Sequence, residues 1–399
     1  MVFDNGSIEC DLSQFQGRFS QRLAALCKKF RVLNHSCQIT ANISTAASLL
    51  HNTAMANLND GIEYEYDLRP QVGETVEILP GIKWLNLPLP FVLSHINTWL
   101  LDDGDGWAAV DTGVHTGVTR QLWEDVISKH LEGRPISRVL VTHLHPDHVG
   151  CAGWLCDRFD IDLHMTRDEY LLCRILVADT GLPAPEEGRH FYRSAGFSAE
   201  QMERYIDRFG AFGRVVSELP QSYRRLQEGR TVNIGPNQWR VITGRGHSPE
   251  HACLFCPELN VLISGDQVLP TISPNVSVWP TEPGANPLAG WFESLHHLKD
   301  LLPDDVLVLP SHGKPFRGVK SRLDALIDEH ETCLGKLRDI CGEPRRALDV
   351  FPALFKSEVT ESNLIMATGE AIAHLNYLFN AGEISIDTDQ SGISWYYAR

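Results

Sequence analysis

The stretch VTHLHPDHVG, residues 141–150, decides how the rest of the chain is read. Three histidines and an aspartate fall within six positions, His143 to His148, directly after the apolar run VLV. A structural histidine needs one hydrogen-bond partner, and that need does not explain a cluster of its own kind. Neutral imidazole beside carboxylate is a donor set for zinc, iron or manganese rather than calcium. The remaining ligands must then come from elsewhere in the chain.

They are found at one recurring kind of place. His143 and His145 follow RVLVT, with Asp147 and His148 on the turn beyond; His247 follows QWRVITGRG, Asp266 follows NVLISG, and His312 follows DVLVLPS. Each of these is the C-terminal end of a predicted strand. In an α/β arrangement such ends lie along one edge, where sites on packed sheets are built. His143, His145 and His247 are enough for one ion, and Asp147, His148 and His312 for a second, with Asp266 placed to bridge them. Two divalent cations, zinc with iron or manganese as alternatives, would lower the pKa of a shared water towards neutrality. Neither would be filled by protein groups alone, so open positions remain for substrate oxygen. His164, His190 and His251 read as ordinary single histidines, capped or facing solvent.

The bulk numbers exclude other classes. At 399 residues the chain is too long for one small core, and one large domain with appendages is expected. A net charge of −16 argues against broad contact with phosphate backbones or anionic lipid. No apolar run approaches a membrane span. The ten cysteines form no compact framework and read as reduced thiols, which places the chain in the cytoplasm. Cys253 and Cys256 make a CxxC, but on a strand their side chains turn to opposite faces, so they read as core thiols.

Three regions follow from composition and pattern. Residues 1–58 read as an N-terminal extension, poorly ordered or loosely helical. From Leu12 to Asn59 they hold no acidic residue, while Arg18, Arg22, Lys28, Lys29 and Arg31 add positive charge. The acidic opening MVFDNGSIECD speaks against a transit peptide. Residues 59–320 alternate short β-rich runs with amphipathic stretches and read as the catalytic domain. Within it HINTWLLDDGDGWAAVDTG predicts a hairpin ending at Asp111, and VTRQLWEDVISKHLEG predicts a helix with Leu122, Val126 and Ile127 inward. Residues 167–229 read as an almost wholly helical insertion. From 321 to 399, RLDALIDEHETCLGKL predicts a long helix; helix, helix and two short strands joined by DTDQSG then suggest a small winged-helix domain.

The motifs THLHPDHVG, GRGHS, SGD and PSHG, preceded by VDTG at 110–113, resemble the ordered motifs of the metallo-β-lactamase fold superfamily, over about residues 75–320. The resemblance implies an α/β fold, an αββα sandwich with two mixed sheets face to face, helices outside and metals at the sheet edge. Asp111 is then a residue behind the ligands that orders their loop. One departure is DHVGCAG, where Cys151 replaces a glycine of the family's DHxGG. The tail, VFPALF with GEAIAHLNYLFNAGEI and the closing hairpin, is similar to the C-terminal winged-helix domain of the β-lactamase-like-protein-2 branch, which includes thioesterases and an endoribonuclease.

The resemblance also narrows the reaction. True metallo-β-lactamases usually lack the bridging aspartate, so Asp266 speaks against antibiotic hydrolysis. Thioesterases, lactonases and the ribonuclease branch keep it. The expectation is attack of a metal-bridging hydroxide on a carbonyl ester, foremost a thioester of CoA, glutathione or a carrier protein. Asp147 is the candidate catalytic residue, orienting the nucleophile or accepting its proton. The alternatives are an endoribonuclease or phosphodiesterase of the same fold, or a lactonase. A nucleic-acid reader needs Lys or Arg on its helix, and NLIMATGEAIAHLNYLFNAGE has none. That helix reads instead as packed in a core or in a homodimer contact. The expected partner is a small ester or thioester, with neither nucleic acid nor membrane. The helical insertion and the loop at 270–287 are expected to wall the pocket, with Trp279 as an apolar contact.

Overall fold

The computed structural model describes residues 61–67, 69–90 and 93–399; the extension expected over residues 1–58 lies outside them. Its scaffold is a pair of seven-stranded sheets. The first runs in the order β2 (Thr75–Leu79), β3 (Ile82–Pro88), β4 (His95–Asp102), β5 (Trp107–Val110), β6 (Ile136–Leu140), β7 (Leu163–Met165) and β8 (Arg224–Arg225). It is antiparallel up to β5 and parallel from β5 to β8. The second runs β1 (Glu63–Tyr64), β14 (Phe316–Arg317), β13 (Leu307–Pro310), β12 (Val261–Gly265), β11 (His251–Cys256), β10 (Asn237–Gly244) and β9 (Thr231–Ile234). Here β12 and β13 pair in parallel and the other neighbours are antiparallel.

Alternation along the strands sorts the side chains into layers. Trp84, Trp99, Ala108, Val110 and Leu140 of the first sheet meet Val241, Leu254, Cys256, Ile263 and Leu309 of the second in one buried cluster between the sheets. Trp84 and Trp99 stack there at 5.8 Å. The opposite face of the first sheet, with Leu85, Leu100, Ala109 and Val139, is covered by helices α1 (Gly117–His130), α3 (Ala152–Phe159) and α4 (Arg167–Ala178), bringing Trp123, Leu155 and Cys173. The short α2 (Pro146–Val149) lies in the ligand loop. The outer face of the second sheet, with Ile242, Cys253, Leu262 and Val308, is covered by α7 (Pro287–Leu301), α8 (Val319–Ile340) and α10 (Leu364–Asn380). The result is an αββα sandwich. Cys253 and Cys256 do face opposite layers.

The remaining elements qualify three expectations. In the 167–229 stretch α4 is followed by α5 (Glu186–Ala195) and α6 (Ala199–Arg208), but the chain then leaves the helical pattern. Val215, Val216 and Leu219 pack into the first-sheet core, and past Pro220 two residues form β8 at the sheet edge. The α1 helix turns Thr119, Trp123 and Val126 fully inward, leaving Leu122 and Ile127 at the margin of the core. At the C-terminus α9 (Phe351–Leu354), α10 and the hairpin β15 (Ile384–Thr388) and β16 (Ser394–Ala398) follow in the expected order. They have no separate core: Leu354, Ala371, Leu375, Ile384 and Tyr396 belong to the same buried cluster as the outer face of the second sheet. Twelve of the 17 residues of α10 are buried within the chain. Among the described residues, no helix is long and apolar enough to cross a membrane.

Candidate metal centre

Sheet edges and the loops beyond them bring the seven predicted donors together. β6 ends at Leu140, and the chain reaches His143 and His145 before α2 opens at Pro146 with His145 as its N-cap. That one turn carries Asp147 and His148. It needs a glycine behind it, because a Cβ at Gly150 would stand 2.5 Å from the Gly113 carbonyl and 2.7 Å from the His115 nitrogen. Cys151 needs no such exemption: its φ is −90°, and its side chain is buried in the first-sheet core, with Sγ facing the Val114 carbonyl. The family's second glycine is therefore dispensable here. His247 follows β10 through Gly246, whose φ of +102° and 2.6 Å approach of a Cβ to Trp291 exclude other residues. Asp266 follows β12 directly, and His312 stands two residues beyond β13.

The donor atoms fall into overlapping triples, each with its atoms within 4.8 Å of one another: His143, His145 and His247; His143, His148 and Asp266; and Asp147, His148 and His312. His143 Nε2 lies 2.8 Å from His145 Nδ1 and 3.3 Å from His247 Nε2. Asp266 spans the two ends. Its Oδ2 is 3.4 Å from His148 Nε2 and 3.6 Å from His247 Nε2, while Oδ1 is 3.5 Å from His312 Nε2. Asp147 Oδ2 lies 3.3 Å from His312 Nε2 and 3.6 Å from His148 Nε2.

Three of these atoms, His148 Nε2, Asp266 Oδ1 and His312 Nε2, are buried with no hydrogen-bond partner among the described residues. Buried polar atoms are normally paired, and orphans that converge on one point call for a ligand. A cation satisfies them all, so the residues present fit a two-ion centre. Electrostatics point the same way. Burial holds the imidazoles of His143 and His247 below their usual range and takes His145 down to about 3, so these three are neutral donors. Burial opposes the charge on His148 too, but Asp266, Asp147 and Asp111 overcome it and raise this imidazole well above its usual value. Without metal, a proton is drawn to the place where positive charge is wanted.

Four of the five rings, all but His145, are anchored on the far side, which fixes the tautomer and aims the other nitrogen. His148 Nδ1 is 2.8 Å from Asp111 Oδ2. His247 Nδ1 donates to the Asn275 carbonyl at 2.8 Å, and His312 Nδ1 to the His95 carbonyl at 3.0 Å. Asp111, at a φ of +63°, also accepts from the backbone and hydroxyl of Thr142, whose Oγ1 stands 3.1 Å from His143 Nδ1. A non-glycine residue in that region is sparsely populated and is kept where the surroundings over-determine it.

Two residues near the centre are not distinguished by the sequence pattern. Glu169, in the first turn of α4, is fully buried; one carboxyl oxygen accepts from Leu144 N at 2.9 Å and the other from Glu250 N at 2.8 Å. It thus ties the His143–His145 backbone to the loop after His247. Glu250 answers by capping α4 through the Arg167 and Asp168 nitrogens. His251, read as an ordinary histidine, is instead fully buried behind the site. Its Nε2 accepts from Asp266 N at 3.1 Å, and its ring stacks on His143 at 4.8 Å. Its spacing of four residues from His247 was the available signal. His164 is partly buried within β7 and His190 lies in α5, and neither joins the donor groups.

Comparison with known proteins agrees with this geometry. Residues 92–312 match the profile of the metallo-beta-lactamase superfamily, and residues 334–399 that of the metallo-beta-lactamase-like C-terminal domain. A beta-lactamase domain protein from Burkholderia ambifaria has a solved structure that aligns with a TM-score of 0.79 at 41% identity, covering 86% of this chain and 100% of that one. A metallo-beta-lactamase family protein from Thermus thermophilus aligns at 0.69 and 26% identity, covering 81% of this chain and 100% of that one. Among curated relatives, a probable metallo-hydrolase of Bacillus subtilis, YqjP, is 26% identical over 74% of this chain and 91% of its own length. An atrochrysone carboxyl ACP thioesterase of Aspergillus fumigatus is 24% identical over 59% of this chain and 41% of its own length.

Proposed function

Because the chain belongs to the metallo-beta-lactamase superfamily, with metallo-hydrolases among its relatives, we propose that it hydrolyses carbonyl esters, and foremost a thioester of CoA, glutathione or a carrier protein. The observation that carries the reading is Asp266, whose two oxygens face His148 and His247 on one side and His312 on the other. A carboxylate so placed can serve two cations, with zinc the choice best suited to the donor set and iron or manganese the alternatives. When bound there, such cations would polarise the ester carbonyl and bring a water towards ionisation near neutral pH.

The chain's own groups do the rest. His143, His145 and His247 would hold one ion and Asp147, His148 and His312 the other, with Asp266 available to both. Substrate enters from the side of His145 and Asp147, which keep partial solvent contact while His143, His148 and His312 are buried. Asp147, at that open side, is placed to orient a water and take its proton. A thiolate leaves without a strong acid to protonate it, so the site needs no further proton donor. The similarity to a carboxyl ACP thioesterase supports a thioester over other esters. A nuclease of the same fold is disfavoured, because α10 offers no Lys or Arg and most of its surface is packed inside the chain. The seven described cysteines are free and buried, in keeping with a reducing compartment such as the cytoplasm.

The test is thiol release from a panel of acyl-CoA, acyl-glutathione and acyl-carrier thioesters by metal-replete protein, with and without chelator. Chelator-sensitive release is expected, and His143→Ala and Asp266→Ala should lose metal and turnover together. Turnover that persists with an empty site sinks the mechanism. Lactone or phosphodiester cleavage without thiol release would replace the thioester with the alternatives.

A further inference from the structure

The ring of His247 is held from its far side by the Asn275 carbonyl, within a segment that has no regular structure between β12 and α7. A carbonyl on such a loop is only as fixed as the loop itself, and long irregular connections need anchors of their own. Here the anchors come from the C-terminal helices. Asn275 Nδ2 donates to Glu370 Oε2 on α10 at 2.7 Å. Val278 N donates to the Gly369 carbonyl at 3.0 Å, and Asn376 Nδ2 to the carbonyls of Pro283 and Ala285 at 3.1 and 2.8 Å. On α8, Arg322 donates to the carbonyls of Leu269 and Ile272 at 2.6 and 2.7 Å. The contact with α10 is close, since a Cβ at Gly369 would stand 2.8 Å from the Val278 carbonyl.

We propose that Glu370, on the C-terminal helix, is a positioning residue for the metal centre, acting through Asn275 to hold the His247 imidazole. Glu370 is only 6% exposed, on a helix buried over most of its length, where a carboxyl is a poor way to add stability. Among the described residues its one side-chain hydrogen bond goes to the residue whose carbonyl aims His247. The C-terminal helices are then part of the hydrolytic site, although no residue of theirs reaches it. The inference rests on reading His247 as a metal ligand.

Cobalt(II) is the probe, because its visible absorption reports ligand geometry and a competing chelator gives its affinity. Glu370→Ala and Asn275→Ala should each weaken cobalt binding by up to about 10-fold and alter the spectrum, the low end of the range found when the direct partner of a metal-bound histidine is lost, because the Asn275 carbonyl itself remains. The double variant should be no weaker than either single one, since both cut the same chain of contacts. Glu370→Gln should bind and absorb like wild type. Burial pushes the Glu370 carboxyl up to about 8, so at neutral pH the amide replaces a group that is already uncharged and keeps the carbonyl that Asn275 needs. Wild-type affinity and spectrum in Glu370→Ala, or additive losses in the double variant, would overturn the proposal. If Glu370→Ala does not fold, an unchanged Asn275→Ala overturns it equally. Wild-type protein that takes up no cobalt would instead remove the metal reading beneath it.

Discussion

Single carboxylates set the limits of this centre. Asp111 gathers Thr142, His148 and Ser311 on its two oxygens at a backbone angle that few side chains tolerate. Asp111→Ala should therefore reduce metal affinity about 10–100-fold, read by chelator competition, with no metal-donor atom removed. Glu169 makes a different prediction. Burial lifts its carboxyl to about 7 from an ordinary 4.5, even though the Leu144 and Glu250 nitrogens favour the charged form. Between those two values the folded state binds the proton that the unfolded state has released. The group's contribution to stability is thus full below about 4.5 and is lost as pH rises to about 7. Glu169→Gln should flatten that part of the stability–pH curve, measured by denaturant unfolding. It should also speed hydrogen exchange at the Leu144 or Glu250 amide, because an amide has one acceptor oxygen where the carboxyl had two.

Strands and helices are where sequence and structure can be compared most fairly. The inter-sheet layer rests on Trp84 and Trp99, both at most 1% exposed. Trp99→Ala should cost about 3–5 kcal/mol, seen as a lower urea midpoint with an unchanged slope. The clustering of the seven candidate donors was legible because coordination chemistry demands particular residue types at particular spacings, whereas the sandwich was expected only from the resemblance and its tryptophan layer was not read from the strands. Elements that answer to no such demand were not legible. β8 is two arginines whose pairing is settled by their neighbours, since Arg224 and Arg225 carry no apolar alternation. Glu169 in the first turn of a helix looks like any acid that suits a helix N-terminus, and only the fold reveals the two nitrogens it serves. The inward face of α1 went to Trp123 rather than Leu122 because Trp123 Nε1 finds the Thr112 carbonyl at 2.8 Å. Such a contact is invisible until the ligand loop is in place.

For the whole molecule, the continuous cluster that joins the second sheet to α8, α10 and β15 implies one cooperative unit. Scanning calorimetry of the metal-free protein should show a single transition over the two sheets and the C-terminal helices, and two resolved transitions would contradict a shared core. The seven buried cysteines carry this further. Three of them, Cys151, Cys156 and Cys173, lie in the first-sheet core; Cys256 lies between the sheets, and Cys253, Cys333 and Cys341 lie in the second-sheet core. Burial pushes the thiols of Cys151, Cys156 and Cys173 up to about 12, and raises the others as well. A folded molecule therefore offers almost no thiolate from these positions to an alkylating reagent. With Cys10, Cys27 and Cys37 replaced by serine, every modified sulfur would record a moment when its own layer stood open, and peptide mapping would turn the sandwich into a clock with three separately readable hands.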